Sequence, residues 1–186
     1  CADAKIYFEV YGDGFPVLLF APGGMWSNIS KWRGTQDEHI RPVHDWTEVL
    51  SDKFTVVAMD QRNAGRSVAP VTAEDGWQCY IEDQIGLVDH LGIDKFNVAG
   101  MCIGGPYCLG IIDAVPSRVI SATIFQTIGL DNNREAFYRL FDEWADEVSL
   151  RQDNISRETF DGFRTNMFGS NKVFFNLDES FLSTCN

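Results

Sequence analysis

The chain has 186 residues, of which 45% are hydrophobic and 23% charged, and its formal net charge is −12. This length and composition predict one globular domain with a substantial hydrophobic core. The acidic balance argues against nucleic acid and anionic membrane surfaces as partners, because few cations are available to neutralise phosphate groups. No apolar run approaches the ~20 residues of a membrane-spanning helix, and no signal peptide is visible.

Cysteine usage favours a reducing compartment. The chain has five cysteines, an odd number, namely Cys1, Cys79, Cys102, Cys108 and Cys185. They show no CxxC pair and no paired Cys/His spacing, so the pattern predicts free thiols rather than a disulfide framework or a zinc site. We therefore expect a cytoplasmic protein without a metal or other cofactor.

The first part of the chain predicts strands separated by a short helix. Residues 4–12 alternate in polarity and predict a strand, whereas the continuous apolar run at 16–22 is typical of a strand buried on both faces. A glycine-containing loop, APGGMWSNISKWRG, follows that run. Asp45 is placed to cap a helix that runs to about Ser51, and residues 54–60 predict the second buried strand.

The middle of the chain continues this alternation. A helix is predicted over 75–91, ended by Gly92, and a third buried strand over 95–100. The next helix is predicted over 103–115, and a fourth buried strand over 118–127. Buried strands that alternate with helices indicate an α/β architecture with a mostly parallel sheet.

After Gly129 the alternation gives way to three helical apolar stripes, the first in an acidic helix predicted over 131–150. The stripes consist of Phe137, Leu140, Phe141, Trp144 and Val148; of Phe160, Phe163 and Met167; and of Phe174, Phe175, Phe181 and Leu182. We assign residues 1–130 to the N-terminal part of the core and residues 131–186 to a helical cap-like segment. We expect the sheet to be incomplete on its C-terminal side and the core to resume after residue 186.

The stretch GMCIGG, residues 100–105, places a cysteine between glycines where a predicted strand meets a predicted helix. This is the context of a nucleophile elbow, a turn so sharp that it holds the nucleophile at positive φ. Side chains two residues before and two after the nucleophile, at Gly100 and Gly104, would collide with the neighbouring strand and helix, and Gly105 is the third glycine of the elbow. The start of a helix offers unpaired amides and a positive dipole end, which favour the Cys102 thiolate. We therefore predict that Cys102 is a nucleophile rather than a small core residue.

With these motifs, residues 4–130 resemble the α/β-hydrolase fold superfamily. GMCIGG is similar to the cysteine elbow of dienelactone hydrolases, whereas GDGFPVLLFAPGG and MDQRNAGRS resemble the oxyanion loop and the D-x-R-G-x-G-x-S loop of esterases, haloperoxidases and epoxide hydrolases. Asn63 stands where that branch commonly has glycine, and asparagine tolerates the left-handed backbone of such a turn. Epoxide hydrolases and haloalkane dehalogenases carry aspartate at the elbow, so Cys102 argues against both chemistries. The loop residues Asp60, Arg62, Gly65 and Ser67 are expected to be architectural.

The resemblance implies an oxyanion hole made of two backbone amides. One belongs to Ile103, directly after the nucleophile, and the other to Gly24 or Met25 in the loop after the first buried strand. The choice between Gly24 and Met25 stays open, and so does the alternative that this loop is an ordinary turn.

The base and the acid of a catalytic triad are missing where the resemblance implies them. The superfamily order is nucleophile, acid, histidine, yet His39, His44 and His90 all precede Cys102. Asp131 is a possible acid, although a helix cap is the better interpretation of its position. We expect the acid and the histidine to follow residue 186; the alternative is a short form without hydrolytic activity.

Together these features predict a hydrolase that acts on an ester, lactone or thioester carbonyl of a small-molecule substrate. Two alternatives stay open. One is an acyltransferase on the same scaffold, and the other is a non-catalytic ligand-binding or interaction protein. Neither nucleic acid nor a membrane is an expected partner, and the sequence does not predict the oligomeric state.

Overall fold

A five-stranded sheet forms the centre of the protein. The structure is a computed structural model that describes residues 1, 3–33, 44–128 and 134–169. The strands are Phe8–Tyr11 (β1), Phe15–Phe20 (β2), Phe54–Met59 (β3), Phe96–Met101 (β4) and Val119–Phe125 (β5). They lie side by side in the order β1-β3-β2-β4-β5.

Strands β2 to β5 run parallel, while β1 pairs with β3 in the antiparallel direction. The four parallel strands confirm the four strands predicted from the apolar runs. The predicted burial of the fourth is wrong for this structure, because β5 lies at an edge of the sheet and Ile120 to Thr123 are exposed. Phe20 lies opposite Gly100 and Met101 opposite Phe125, so the carboxyl ends of β2, β4 and β5 meet at one edge. Functional sites of parallel sheets form at that edge.

The described α-helices are Trp46–Ser51 (α1), Trp77–His90 (α2), Gly104–Ala114 (α3), Arg134–Arg151 (α4) and Arg157–Arg164 (α5). The Asp45 side chain caps α1, as predicted, by accepting from the amides of Thr47 and Glu48. Gly92 follows α2 at a φ of 67° and ends it. None of the helices in the described part of the chain combines the length and the apolar character that crossing a bilayer requires.

The sheet separates two apolar layers, because successive strand residues point to opposite faces. The larger layer joins strand residues such as Leu18 and Val98 with Val88 of α2 and Tyr107 of α3. The smaller layer joins the opposite strand face with α1 through Val17, Leu19, Val56, Ala99, Trp46 and Leu50. The carboxyl edge of the sheet therefore has α1 on one side and α2 with α3 on the other.

The loop after β3 is held by buried hydrogen bonds. The Asp60 carboxylate accepts from the amides of Ile29 and Arg66, each at 2.9 Å. Gly65 has a φ of 53°, and a Cβ there would stand 2.4 Å from Asp60 Oδ2. Ser67 donates its hydroxyl to the Asp60 carbonyl at 2.7 Å. These contacts support an architectural role for Asp60, Gly65 and Ser67.

Arg62, in the same loop, forms a buried ion pair with α2. Its side chain is 1% exposed, and its guanidinium donates to the two oxygens of Asp83 at 2.8 and 3.0 Å, with Asp75 3.7 Å away. Burial raises the pKa of Asp83 despite the neighbouring guanidinium. Burial also opposes the charge on Arg62, but the hydrogen bond and charge of Asp83 outweigh it, so the pKa of Arg62 is raised.

Helices α4 and α5 bury an aromatic cluster between them. Phe141 of α4 meets Phe163 of α5 with ring centroids 5.2 Å apart, and Trp144 meets Phe163 at 5.6 Å. The second predicted stripe is confirmed, since Phe160, Phe163 and Met167 are all buried. The first is confirmed for Phe141, Trp144 and Val148, whereas Leu140 is exposed. The third stripe, from Phe174 to Leu182, lies outside the described residues, and the division into core and cap stays a prediction.

The cysteines are not all free thiols, which corrects the prediction from their number and spacing. Cys1 and Cys79 form a disulfide that ties the N-terminal segment to α2 across 78 residues of sequence. The spacing gave no signal because only the fold brings these positions together. Cys102 and Cys108 are free, and Cys185 lies outside the described residues. Cysteine usage therefore no longer argues for a reducing compartment, and a cytoplasmic location stays a prediction.

Candidate active site

Cys102 lies in the turn between β4 and α3, at the carboxyl edge of the sheet. Its φ is 58°, in the left-handed region that an elbow requires. The Cys102 amide donates to the Phe125 carbonyl, and the Cys102 carbonyl accepts from the Gly105 amide, both at 3.1 Å. The thiol is partly exposed and free. The turn therefore holds the Cys102 side chain at the carboxyl edge of the sheet.

The glycines around Cys102 are required by close contacts. A Cβ at Gly100 would lie 2.2 Å from the Gly104 carbonyl oxygen, and one at Gly104 would lie 2.3 Å from that of Phe20. A Cβ at Gly105 would meet Thr127 Oγ1 at 2.2 Å. The absence of side chains at these positions lets α3 start directly against the ends of β2 and β4.

Three amides near this turn have no acceptor within the ranges that the structure describes: those of Ile103, Gly24 and Met25. Gly23 and Gly24 adopt φ values of 117° and 59°, and Met25 is buried. Because Phe20 at the end of β2 contacts Gly104, the loop after β2 and the start of α3 share one edge of the sheet. Free amides in such a place suit a developing negative charge on oxygen.

A buried aromatic layer lies beneath the turn. Tyr107 of α3 stacks on Tyr80 of α2 with ring centroids 5.5 Å apart and meets Trp77 edge-on at 5.1 Å. Burial raises the pKa of Tyr107 well above its ordinary value, and the negative charges of Asp83 and of a Cys102 thiolate add to the effect. The phenol therefore stays neutral near physiological pH, so it is not a base for the thiol.

Neither described histidine is hydrogen-bonded to Cys102. His90 ends α2 and packs edge-on against Phe8 of β1 at 6.1 Å, and two strands separate β1 from β4. His44 precedes α1 and packs against Trp46 at 6.4 Å. His39 and Asp131 lie outside the described residues. Across those residues, no cluster of histidine, cysteine or carboxylate side chains is suited to hold a metal ion.

The two free cysteines that the structure describes are expected to differ in reactivity. Cys102 is partly exposed at the start of α3, whereas Cys108 is buried in the same helix, and burial raises its pKa to about 12. Since the thiolate is the form that alkylates, limited treatment with iodoacetamide at neutral pH is expected to label Cys102 first. Peptide mapping measures both sites, and Cys102→Ala shows any label that Cys108 takes up alone. Equal or faster labelling of Cys108 would contradict the nucleophile assignment.

Three hydrogen bonds between α4 and this edge of the sheet were not predicted. Trp26 Nε1, in the loop after β2, donates to Glu147 Oε2 at 2.6 Å. The Asn63 carbonyl, in the loop after β3, accepts from Trp144 Nε1 at 3.3 Å and from the Arg151 guanidinium at 3.2 Å. The spacing of Trp144, Glu147 and Arg151 along one helix face is a signal for an interface. That spacing does not identify the partner loops.

Comparison with known proteins places this geometry in a family. Residues 16–177 match the family model described as the alpha/beta hydrolase fold. The "Putative carbamate hydrolase RutD" of Azorhizobium caulinodans is 30% identical over 122 residues, which cover 66% of this chain and 41% of that protein. A soluble epoxide hydrolase of a Corynebacterium species is 26% identical over 170 residues, covering 84% of this chain and 54% of that protein. The chain thus spans about half the length, or less, of these curated relatives.

Solved structures agree with the fold. The match to an esterase from Thermogutta terrifontis covers 89% of this chain and 62% of the esterase chain, with a TM-score of 0.55 and 22% identity. The match to a structure from work on carboxylesterases of Nitrososphaera gargenis covers 94% of this chain and 66% of the other chain, with a TM-score of 0.61 and 22% identity. The likeness of the sheet to these structures agrees with the family match, which extends over most of the sequence. The chain therefore belongs to the alpha/beta hydrolase fold family.

Proposed function

We propose that this protein hydrolyses the carbonyl group of a small-molecule ester, lactone, thioester or carbamate, with Cys102 as the nucleophile. The observation that carries the proposal is a partly exposed thiol at a φ of 58°, between a strand and a helix. Such a backbone conformation is costly for a residue with a side chain and clusters at functional sites. A cysteine that served only the core would need neither the strain nor the exposure.

The proposed acylation step uses the groups at the carboxyl edge of the sheet. The Cys102 thiolate attacks the carbonyl carbon, a carbon–sulfur bond forms, and the carbonyl oxygen takes the negative charge. The amides of Ile103 and of Gly24 or Met25 donate to that oxygen. The intermediate then collapses, the bond to the leaving group breaks, and the leaving group takes up a proton equivalent to the one the thiol lost. The product is an acyl-thioenzyme.

Deacylation is the harder step for this chain. Water must lose a proton to a base before it attacks the thioester, and neither described histidine is bonded to Cys102. The superfamily resemblance implies a histidine that follows the nucleophile in sequence. We therefore expect an activated ester to acylate Cys102 faster than the acyl group is released.

The proposed substrate class draws on the relatives as well as on the nucleophile. Two curated relatives carry carbamate hydrolase in their names, and carbamates share with esters the carbonyl carbon that a thiolate attacks. Epoxide opening is a poor match despite the epoxide hydrolase relative, because the resemblance implies aspartate at the elbow for that chemistry. Carbamate nitrogen donates electrons to the carbonyl carbon, so a matched ester is expected to react faster.

Acetylation by p-nitrophenyl acetate tests the proposal. The expected result is a burst of about one p-nitrophenolate per chain, followed by little turnover, because acyl-enzyme accumulates when deacylation is slow. Mass spectrometry is expected to find one acetyl group on Cys102. Cys102→Ala is expected to abolish the burst and the label. Cys108→Ala, which removes the buried thiol of the same helix, is the matched control and is expected to keep both.

Other outcomes separate the alternatives. A burst that survives in Cys102→Ala, or an acetyl group on another side chain, would be evidence against this nucleophile. Repeated turnover that is lost on His39→Ala or His44→Ala would put the base upstream of Cys102. Transfer of the acetyl group to an added alcohol in preference to water would favour the acyltransferase alternative.

A further inference from the structure

We propose that Glu147 of α4 is a positioning residue for the oxyanion loop, defined here as residues 23–27, through its hydrogen bond to Trp26. The inference rests on the proposed function, because it concerns the Gly24 and Met25 amides that would stabilise the oxyanion. It assigns to the cap-like segment a part in the chemistry of the core.

The oxyanion loop is fixed at its far end, where the Ser27 hydroxyl donates to the Ala21 carbonyl at 2.7 Å and the Gln61 amide donates to the Ser27 carbonyl at 3.0 Å, but its glycine end has fewer restraints. Gly23 and Gly24 both adopt left-handed φ values, which glycine enters and leaves easily. The Trp26 amide donates to the Gly23 carbonyl at 3.0 Å, and the Ser27 amide to that of Gly24 at 3.2 Å, in one short 3₁₀ turn. Trp26 therefore belongs to the same turn as the Gly24 and Met25 amides, so a restraint on its side chain acts on the turn that carries both.

Helix α4 supplies that restraint and is itself held in place by other contacts. Glu147 accepts from Trp26 Nε1 at 2.6 Å and lies 3.5 Å from the Arg151 guanidinium. Arg151 also donates to the Asn63 carbonyl, and Gln152 donates to Asn63 Oδ1 at 3.0 Å. The helix is thus anchored on the loop after β3, and it presents the Glu147 carboxylate to the loop after β2.

The placement of Glu147 separates positioning from stability. The side chain is 49% exposed, and exposed polar contacts contribute little to the free energy of unfolding. Loss of its hydrogen bond would still remove the restraint on Trp26 and loosen the turn that carries the Gly24 and Met25 amides, and small misplacements of catalytic groups slow reactions strongly. Acylation by an ester develops an oxyanion, whereas alkylation by iodoacetamide displaces iodide from a saturated carbon and develops none. The ratio of the two rates at Cys102 therefore reports on the loop.

The test compares four variants of the full chain with the unmodified protein. Glu147→Ala and Trp26→Phe each remove the hydrogen bond and are expected to lower the acetylation rate by p-nitrophenyl acetate roughly tenfold or more. Neither is expected to change the iodoacetamide rate. Glu147→Gln keeps an acceptor oxygen and is expected to retain most of the acetylation rate. Glu143→Ala, which removes an exposed glutamate from the same helix, is the matched control and is expected to change nothing.

Two further measurements isolate the contact. The double variant Trp26→Phe/Glu147→Ala is expected to acetylate no more slowly than either single variant, because both remove one interaction. Hydrogen exchange at the Trp26 and Ser27 amides is expected to become faster in Glu147→Ala, whether or not an ester is present.

Each result decides something. Equal losses of acetylation and alkylation, an additive double variant, or unchanged exchange at Trp26 and Ser27 would overturn the positioning role. If the unmodified chain is never acetylated at Cys102, the proposed function is wrong, while the exchange rates still decide whether Glu147 holds the loop. Faster exchange together with a selective loss of acetylation would support both.

Discussion

Replacing Gly104 with alanine is expected to lower the free energy of unfolding by about 3 kcal/mol or more, near the upper end of single substitutions. The new Cβ would stand 2.3 Å from the Phe20 carbonyl oxygen, a backbone atom of a central strand. Relief would require α3 to move away from β2, and Cys102 would move with it. Urea unfolding followed by circular dichroism measures the loss.

Gly86→Ala is the matched control for this prediction. Gly86 lies within α2 and has no atom within 4 Å of its ideal Cβ position, so alanine is expected to be neutral or to stabilise by about 0.5–1 kcal/mol through helix propensity. A Gly104→Ala variant with the stability of Gly86→Ala would mean that the elbow tolerates a side chain, contrary to the geometry around Cys102.

Replacing Arg62 with leucine is expected to lower the free energy of unfolding by about 3–5 kcal/mol at neutral pH, because it leaves buried carboxylates without their cation. Asp83 loses two hydrogen bonds and Asp75 loses a guanidinium 3.7 Å away. Arg139→Leu is the control: that side chain is 75% exposed, 4.0 Å from Glu143, and such pairs contribute less than about 0.5 kcal/mol. If the two variants lost similar amounts of unfolding free energy, the buried Arg62 ion pair would contribute no more to stability than an exposed pair.

The loss of unfolding free energy in Arg62→Leu is expected to depend on pH. The pKa of Asp83 is already raised by burial in the folded protein, and removal of the guanidinium raises it further. A carboxyl whose folded pKa is raised contributes stability below its unfolded pKa of about 4, and this contribution is lost as pH rises through the folded value. The difference in unfolding free energy between Arg62→Leu and the unmodified chain is therefore expected to shrink as the pH falls from above the folded pKa of Asp83 toward its unfolded pKa.

The central strands β2, β3 and β4 could be predicted from the sequence because most of their residues are buried in succession. The run from Val17 to Phe20 is buried in the structure, and a strand covered on both faces has no polar face to interrupt the pattern. The elbow could be predicted for a different reason. At Gly100, Gly104 and Gly105 a Cβ would lie less than 2.5 Å from another atom. Glycine is therefore necessary at these positions, and the glycines are visible in the sequence.

The pairings between distant segments could not be predicted. The Cys1–Cys79 disulfide and the Trp26–Glu147 hydrogen bond join positions 78 and 121 residues apart. Local propensity and periodicity act over a few turns of helix or one strand, and they hold no information on which surfaces meet. Arg62 shows the same limit: its loop motif predicted an architectural role but not the partner Asp83 on α2.

The disulfide between Cys1 and Cys79 makes the first part of the chain a closed covalent ring. β1, β2, α1 and β3 belong to the ring, whereas β4 with the elbow lies outside it and is joined to β2 by backbone hydrogen bonds and apolar packing. Closing a loop of this size removes about 4–5 kcal/mol of conformational entropy from the unfolded state in the chain-entropy description. A peptide bond cut inside the ring would leave one molecule, still joined through sulfur, until a reductant opened it.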